Sequence, residues 1–393
     1  MRVGVLMVTG AYYPEVSGGG LQCRTLMRAL QDRISFLVFT TTTNPALPQQ
    51  EVVDGIPIYR VLVEMAKRGS RLRAGVRFIG LFLRSRRRFD LVHLHGFSRK
   101  SWLLIGLARL FRKPLLLKLT SVGDDDPLSL RRRGALAYWM YRRADCYVGV
   151  SAGVEGRYQA AGFPRQRFQL IPNGVDVDRF RPRSTEERQR LRCQLGLPQG
   201  SPLILFVGLF SREKCPDLLF NAWMNLQRHG HPQTGLVFVG ATQGGYYEID
   251  PTLAVRMREQ AAREGMGQRV VFVERSHAIE HYYGAADYFV LPSVREGLPN
   301  ALLEAMASGL ACIATRLTGI TDAVIEDRMN GLLMPPRDVS ACERALGTLL
   351  QHPEEARAMG RRARGTIEDR YALSRIADRY DTLYQRVAWG RTR

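Results

Sequence analysis

Short apolar runs of four to seven residues recur along the chain, and most are separated by longer stretches with helical spacing of apolar positions. This alternation predicts parallel β-sheets whose strands are joined by helices, as in α/β domains. The predicted strands are Val3–Thr9, Ile34–Thr40, Leu91–His95, Pro114–Thr120, Leu203–Gly208, Val237–Gly240, Val270–Val273, Tyr288–Pro292 and Ala311–Thr315.

The length of 393 residues exceeds what one ordinary hydrophobic core holds, so two domains of similar size are expected. Pro, Asn, Gly, Asp and Arg cluster between Pro172 and Thr185, which is typical of a linker. We therefore predict a first domain over 1–172, a linker over 173–185 and a second domain over 186–372. The last helix, about Arg375–Trp389 within residues 373–393, is expected to pack back on the first domain.

Two glutamates flank a predicted helix start in Glu296-Gly-Leu-Pro-Asn-Ala-Leu-Leu-Glu304. Pro299 suits the first turn of a helix, because a proline has no N–H to leave unpaired there. The amino end of a helix attracts anions, while carboxylates accept hydrogen bonds from hydroxyl groups. This pattern predicts a site for a diphosphate flanked by hydroxyls. Taken alone, it also fits a solvated Glu304 and a helix-start acid at Glu296.

Two further loops follow predicted strands and carry phosphate-compatible groups. The glycine run Gly18–Gly20 lets backbone N–H groups approach an anion, although its spacing is not that of a dinucleotide-binding fingerprint and a plain turn also explains it. Gly208 ends a strand that leads to Arg212 and Lys214, whose charges can offset a diphosphate. A surface turn remains the alternative for this second loop.

Two histidines and three aspartates stand at strand ends in the first half. His93 is expected to be a core residue, whereas His95 lies nearer the strand end and can hydrogen-bond a sugar hydroxyl or a developing charge. Asp124-Asp125-Asp126 precedes Pro127, and this pattern favours helix capping over a magnesium site. No metal site is predicted.

Positive charge is concentrated before residue 173, with 28 Lys and Arg against 11 Asp and Glu, compared with 29 against 26 in the remainder. A basic amphipathic helix is predicted around Val76–Leu83, and it suits an anionic membrane surface or a solvated face. Nucleic acid is disfavoured, because no recognition motif accompanies the charge. The basic patches comprise Lys67, Arg68, Arg71, Arg73, Arg77, Arg84, Arg86, Arg87 and Arg88, then Arg131, Arg132, Arg133, Arg142 and Arg143.

Compartment signals are sparse. Six cysteines are dispersed without C-x-x-C spacing, which predicts neither a disulfide framework nor a zinc site. The amino-terminal sequence fits a first strand better than a signal peptide, and no run approaches the length of a membrane span. We expect a cytoplasmic protein, soluble or peripheral on the inner face of a membrane.

Taken in order, these motifs resemble the retaining GT-B glycosyltransferases of family 4, also called group 1. The resemblance covers essentially the whole chain. It rests on Gly18-Gly19, V-H-L-H-G at Val92–Gly96, the A-D…V-S pattern at Ala144–Ser151, I-P-N-G-V-D at Ile171–Asp176, S-R-E-K at Ser211–Lys214, A-A-D-Y-F-V-L-P-S at Ala285–Ser293 and E-G-L-P-N-A-L-L-E-A-M-A-S-G at Glu296–Gly309.

The resemblance implies two facing Rossmann-like domains with a cleft between them, and a UDP-sugar or GDP-sugar donor held mainly by the second domain. Glu296 would contact the transferred sugar and Glu304 the ribose, with His95 on the acceptor side. No cofactor or metal would be required. Together with the basic and apolar residues of the first half, this leads us to expect a glycan or lipid-linked acceptor, in cell-envelope or polysaccharide assembly. The diphosphate and base would lie against Gly19, Gly208, Arg212, Lys214, Val273, Arg275, Gly297, Leu298 and Asn300.

Two positions depart from the family pattern. The family often has Gly-Arg five residues before its lysine, whereas this chain has Gly208-Leu209, and Cys215 stands where glycine commonly follows that lysine. Arg212 is expected to replace the missing arginine. The alternatives are a transferase acting on a soluble acceptor, and a catalytically silent protein that binds nucleotide sugars or nucleic acid.

Overall fold

The computed structural model describes residues 2–15, 17–64, 67, 69–229, 233–243, 249–276 and 278–390. The chain divides into two compact units, which comprise residues 1–174 with 373–393 and residues 175–372. Phe180, within the segment predicted as a linker, is buried and packs against Tyr283 with ring centroids 5.6 Å apart. The part of that segment after residue 174 is therefore packed in the second unit.

The first unit is built on a mostly parallel sheet whose eight described strands lie in the order β3-β4-β2-β1-β5-β6-β7-β8. Its strands are β1 (Gly4–Val8), β2 (Ser35–Thr42), β3 (Gln50–Val53), β4 (Ile56–Leu62), β5 (Leu91–His95), β6 (Leu115–Leu119), β7 (Cys146–Gly149) and β8 (Phe168–Leu170). Its helices before residue 175 are α1 (Gly18–Leu30), α2 (Ser70–Ser85), α3 (Arg99–Leu110), α4 (Pro127–Arg132), α5 (Ala135–Tyr141) and α6 (Ala152–Ala160).

The second unit contains a parallel sheet whose six described strands lie in the order β11-β10-β9-β12-β13-β14. The strands are β9 (Leu203–Val207), β10 (Gly235–Val239), β11 (Val270–Val273), β12 (Tyr288–Leu291), β13 (Ala311–Thr315) and β14 (Leu332–Met334). The helices are α7 (Thr185–Gln194), α8 (Pro216–Arg228), α9 (Pro251–Arg263), α10 (Ile279–Ala285), α11 (Asn300–Ala307), α12 (Val339–Gln351) and α13 (Pro353–Arg370).

The last helix, α14 (Leu373–Trp389), returns to the first unit, as predicted. Its buried side chains include Tyr380 and Tyr384, and the Tyr384 hydroxyl lies 2.8 Å from Nδ1 of His93. His93 is fully buried in the middle of β5, which confirms its prediction as a core residue. The C-terminal helix therefore completes the core of a unit whose sheet was built some two hundred residues earlier.

All nine predicted strands are present, with ends that differ by one or two residues, and five further strands were not predicted. β3 and β4 form an antiparallel hairpin through Asp54 and Gly55, whose φ angles are 50° and 77°. β7, β8 and β14 contain only three or four residues each, too few to show a periodic pattern. No helix in the described ranges is long and apolar enough to cross a bilayer.

Candidate active site

Two loops of the second unit meet beyond the carboxyl ends of β9 and β12, which are neighbours in the sheet. The Val294 N–H donates to the Glu213 carbonyl at 2.8 Å, and Arg295 pairs with the Glu213 carboxylate at 2.6 Å. Ligands bind open α/β sheets at this edge. The meeting of these loops brings together residues that are more than eighty positions apart in sequence.

Glu296 and Lys214 form an ion pair in this place, with Nζ 2.6 Å from Oε1. Only 8% of the Glu296 side chain is exposed, against 27% for Lys214. A carboxylate removed from water requires a partner, and Lys214 supplies the positive charge. The interpretation of Glu296 as an ordinary helix-start acid is therefore wrong, since the side chain is turned inward and paired.

Glu304 lies on α11, which begins at Asn300 with Pro299 as its N-cap residue, close to the predicted start. Its side chain is half-buried and Oε2 accepts a hydrogen bond of 2.9 Å from the Tyr283 hydroxyl. Burial raises the pKa of Glu304 to about 7, against the opposing effects of Tyr283 and the charge of Arg179. A freely solvated Glu304 is thus excluded.

The segment between the two glutamates is tightly packed. Gly297, Leu298 and Pro299 are buried, and Asn300 is half-buried at the first position of α11. Helix α11 directs its amino end toward this segment, and such an end carries partial positive charge. Between a paired and a desolvated carboxylate, the segment offers an environment suited to an anion with neighbouring hydroxyls.

Backbone hydrogen bonds join the carboxyl ends of β9, β10 and β11 beside these loops. The Gly208 N–H donates to the Val239 carbonyl at 3.0 Å, and the Gly240 N–H donates to the Val273 carbonyl at 2.8 Å. A methyl group on Gly240 would lie 1.8 Å from the Gly208 carbonyl oxygen, so glycine is required there. Gly208 and Val273, both predicted for the site, therefore belong to one hydrogen-bonded strip.

The side chains of Arg212 and Arg275 are both exposed. The Arg212 side chain is 89% exposed, and its Nε lies 3.5 Å from Oδ2 of Asp250. Arg275 is exposed next to Glu274, which accepts a hydrogen bond from the Thr242 N–H at 2.9 Å. Of the two cations predicted after β9, the structure brings Lys214 to Glu296, whereas Arg212 pairs elsewhere. The segment Val273–His277, which the family resemblance implies near the base, ends at His277, and that residue lies outside the described residues.

In the first unit, Gly19 and His95 are direct neighbours. Ser17 caps α1 by accepting from the Gly20 N–H at 3.0 Å, and a methyl group on Gly19 would lie 3.4 Å from Nδ1 of His95. The predicted glycine loop thus opens a helix against the end of β5.

Nε2 of His95 is buried without a hydrogen-bond partner among the described residues. Burial, and secondarily the charge of Lys118, lowers the pKa of His95 well below its usual value. His95 therefore favours the neutral imidazole, and its Nε2 has unused hydrogen-bonding capacity among the described residues.

The aspartate triplet is engaged in loop and helix structure. Asp126 is the N-cap of α4 and accepts from the Ser129 N–H at 3.1 Å, as the capping prediction required. Asp125 accepts hydrogen bonds from the Thr120 and Ser121 N–H groups, while burial raises its pKa to about 6. Asp124 pairs with Arg133. At least one carboxylate oxygen of each aspartate is thus engaged with a protein donor.

Sequence reasoning missed two contributors to these sites. Tyr283 of α10 donates a hydrogen bond to Glu304, and no motif in that short helix indicated it. Lys118 is buried beside the histidines, and its Nζ lies 2.9 Å from Oδ1 of Asn173. A charged residue inside the otherwise apolar strand Leu115–Leu119 was a usable signal, because buried lysines require special surroundings.

Two units with parallel sheets, each presenting polar groups beyond its strand ends, define the GT-B class of glycosyltransferase fold. Residues 17–174 match the family model for the glycosyl transferase 4-like domain, and residues 187–366 match the model for glycosyl transferases group 1. The chain belongs to the group 1 glycosyltransferases. The predicted family and fold class are thereby confirmed.

Relatives and solved structures agree with this assignment. The D-inositol 3-phosphate glycosyltransferase of Nocardia farcinica is 33% identical over 51% of this chain and 44% of that protein. A GDP-mannose-dependent phosphatidylinositol monomannoside mannosyltransferase of Mycolicibacterium smegmatis is 31% identical over 55% of this chain and 56% of that protein. The chain spans about half the length of the curated relatives it matches.

Among solved structures, Anabaena HepE in complex with UDP and glucose superposes with a TM-score of 0.79 at 19% identity, covering 97% of this chain and 99% of that one. At this identity the likeness concerns the fold.

Proposed function

We propose that this chain is a retaining glycosyltransferase that moves a sugar from a UDP-sugar or GDP-sugar to a glycan or lipid-linked acceptor in cell-envelope or polysaccharide assembly. The observation that carries the proposal is the Glu296–Lys214 ion pair at the carboxyl edge of the second sheet. It sets an acceptor of hydroxyl hydrogen bonds against a cation, which together match a sugar attached to a diphosphate.

In the proposed complex, Lys214 contacts the diphosphate together with the amino end of α11. Glu296 accepts hydrogen bonds from hydroxyls of the transferred sugar, and Glu304 accepts them from the ribose. Gly208 and Val273 supply the backbone against which the nucleotide lies, with Arg275 nearby. Arg212 contributes only long-range charge, because its side chain points to Asp250 and to solvent.

The proposed reaction retains the anomeric configuration. The bond between the anomeric carbon and the diphosphate oxygen breaks, and the acceptor oxygen attacks from the same face. The acceptor proton passes to the departing phosphate oxygen. Charge builds on the leaving diphosphate in the transition state, so a fixed ammonium at Lys214 lowers the barrier. Glu296 positions the sugar and stabilises its developing positive charge, and no protein nucleophile is required.

The first unit is proposed to supply the acceptor side. His95 is neutral and its Nε2 lacks a partner among the described residues, so it can hydrogen-bond a hydroxyl. Gly19 leaves room beside the imidazole. We propose that the transfer needs no metal, with Lys214 and helix α11 in the role of the cation. Addition of EDTA without loss of transfer is the corresponding expectation.

A lipid-linked acceptor is supported by the surface of α2. Arg71, Arg73 and Arg77 are exposed there together with the apolar side chains of Leu72 and Val76. Helices that present arginine beside exposed apolar residues bind anionic membrane surfaces. We therefore propose peripheral association of the first unit with a membrane.

Donor turnover with an acceptor extract tests the proposal, after a thermal-shift screen of UDP-sugars and GDP-sugars has identified the donor. Glu296→Gln and Lys214→Ala should each lower the rate of transfer at least a hundredfold, since each removes a group that acts on the transition state. Arg212→Ala should cost less than about tenfold, and the exposed Glu355→Gln is the matched control. Transfer that survives in both Glu296→Gln and Lys214→Ala refutes the site.

A further inference from the structure

Four arginines and a tryptophan line an open pocket of about 450 Å³ on the first unit, at residues that the proposed reaction does not use. Arg109 is near the end of α3, Arg142 and Arg143 follow α5, and Arg167 precedes β8. Trp139 of α5 closes one side. A second pocket of about 240 Å³ shares Arg142 and Arg167.

Contacts hold Arg109 and Arg143 in place, and three of the four arginines are not ion-paired within the described residues. The Arg143 guanidinium lies 4.1 Å from the centroid of the Trp139 ring, and Arg109 donates to the Arg143 carbonyl. Asp145 pairs with Arg109 at 3.1 Å. Within the described residues, Arg142, Arg143 and Arg167 form no ion pair.

Like charges held together repel, so this arrangement stabilises an anion that enters among them. Guanidinium groups present paired donors that match the oxygens of a phosphate. The pocket volume admits a phosphate with its first ester substituents. The chemistry that the pocket recognises is therefore a phosphate group.

Trp139 and exposed apolar side chains that neighbour the lining residues in sequence indicate where that phosphate is attached. Trp139 is 52% exposed and Leu136, one helical turn earlier on α5, is 60% exposed. Leu110, which follows Arg109 in sequence, is also exposed. Tryptophan and leucine beside arginine are the side chains that enter the boundary between headgroups and acyl chains. A soluble phosphate would gain no binding free energy from these apolar side chains.

The pocket lies at the opposite edge of the sheet from His95. Asp145 accepts from the Leu115 N–H at the beginning of β6, whereas His95 stands at the end of β5, opposite Lys118 of β6. The length of such a strand, about 15 Å, separates the two places. The phosphate bound at the pocket is therefore not in contact with His95.

We propose that Arg109, Arg142, Arg143 and Arg167 bind the phosphate headgroup of an anionic membrane lipid, with Trp139 and Leu136 inserted beside it. The site anchors the first unit independently of donor binding. It differs from the α2 surface in being a formed pocket and not an amphipathic face. Failure of the proposed glycosyl transfer would leave this proposal intact, because its test measures lipid binding alone.

The test is co-sedimentation of the full chain with vesicles of phosphatidylcholine, alone or with about one quarter phosphatidylglycerol. Each arginine near an anionic surface contributes about fivefold to partitioning, so Arg142→Gln combined with Arg143→Gln should weaken binding about 25-fold. Both side chains are exposed, so folding should be retained, which an unchanged Tm verifies. Arg190→Gln combined with Arg344→Gln is the matched control, because it removes equal charge from exposed sites on the second unit.

Tryptophan fluorescence supplies the second measurement. The emission should shift to shorter wavelength on vesicle binding, and Trp139→Phe should remove most of that shift. Equal weakening in the control pair would show diffuse attraction and overturn the proposal, as would a shift that persists without Trp139. If inorganic phosphate at constant ionic strength raised the Tm through these arginines while no vesicle bound, the ligand would be a soluble phosphate and the lipid assignment would be wrong.

Discussion

Glu304 should make donor binding depend on pH near neutrality. Burial raises the pKa of its carboxyl to about 7 in the free chain, so at pH 7 about half of the molecules carry a protonated Glu304. A ribose bound in the proposed way donates hydrogen bonds to the carboxylate, and such donation stabilises the ionised form. Donor binding should therefore favour the ionised form and release a proton.

The magnitude follows from the fraction of ionised Glu304. Glu304 is ionised in about one molecule in ten at pH 6 and in about nine in ten at pH 8. The affinity for a nucleotide sugar should therefore be about tenfold weaker at pH 6 than at pH 8. The affinity is fully present above the raised pKa and is lost as pH falls through about 7. The pKa of about 7 includes the effects of the groups that face the carboxyl, which are Tyr283, Arg179 and Glu280.

Titration calorimetry of an intact nucleotide sugar at pH 6, 7 and 8 measures this dependence, because neither phosphate of the diester donor titrates in that range. Glu304→Gln should bind about tenfold more weakly at pH 8, having lost charge-assisted hydrogen bonds, and should show no slope. Proton release into buffers of different ionisation enthalpy gives an independent count of the protons lost on binding. A native slope that persists in Glu304→Gln, or a native affinity independent of pH, refutes the reasoning.

Three stability measurements test other contacts. Glu304 is ionised more easily in the unfolded chain than in the folded one. The free energy of unfolding of the native chain, relative to that of Glu304→Gln, should therefore fall by about 2 to 3 kcal/mol between pH 5 and 8 in urea unfolding. Equal pH dependence of the two proteins would contradict this. Gly240→Ala should lower the free energy of unfolding by about 2 kcal/mol or more, since the new methyl group collides with the Gly208 carbonyl. Gly267→Ala is the control and should be nearly neutral, because its new methyl group has no close neighbour. Tyr384→Phe should cost about 1 to 2 kcal/mol by leaving the buried His93 without its partner, and a cost below about 0.5 kcal/mol would refute that role.

The sequence predicted the sheet strands that carry long apolar runs, because a buried parallel strand needs an apolar side chain at nearly every position. The β3–β4 hairpin was missed although Asp54-Gly55 is a recognised two-residue turn signal. β3 alternates between exposed and half-buried positions and β4 mostly between buried and half-buried ones, and polar residues interrupt both, so neither carries a continuous apolar run. Turn chemistry, and not hydrophobicity, was the informative feature there.

The candidate site was predicted unevenly for a geometric reason. Glu296 and Lys214 are 82 positions apart, and they meet because β9 and β12 are neighbours in the sheet. Local sequence does not encode strand order, so the family resemblance placed both residues in one site but predicted no contact between them. Arg212 shows the complementary case. It is two residues from Lys214, but the chain turns between Ser211 and Lys214, so proximity in sequence did not give proximity to Glu296.

The return of α14 to the first unit has a consequence for synthesis on the ribosome. The second unit is one continuous segment, residues 175–372, and all of it is translated before the helix that covers His93. The second unit can therefore reach its native state while the first still exposes an incomplete apolar face. A nascent chain of this design should depend on chaperones until its last helix emerges, and removal of α14 should leave an aggregation-prone amino-terminal half.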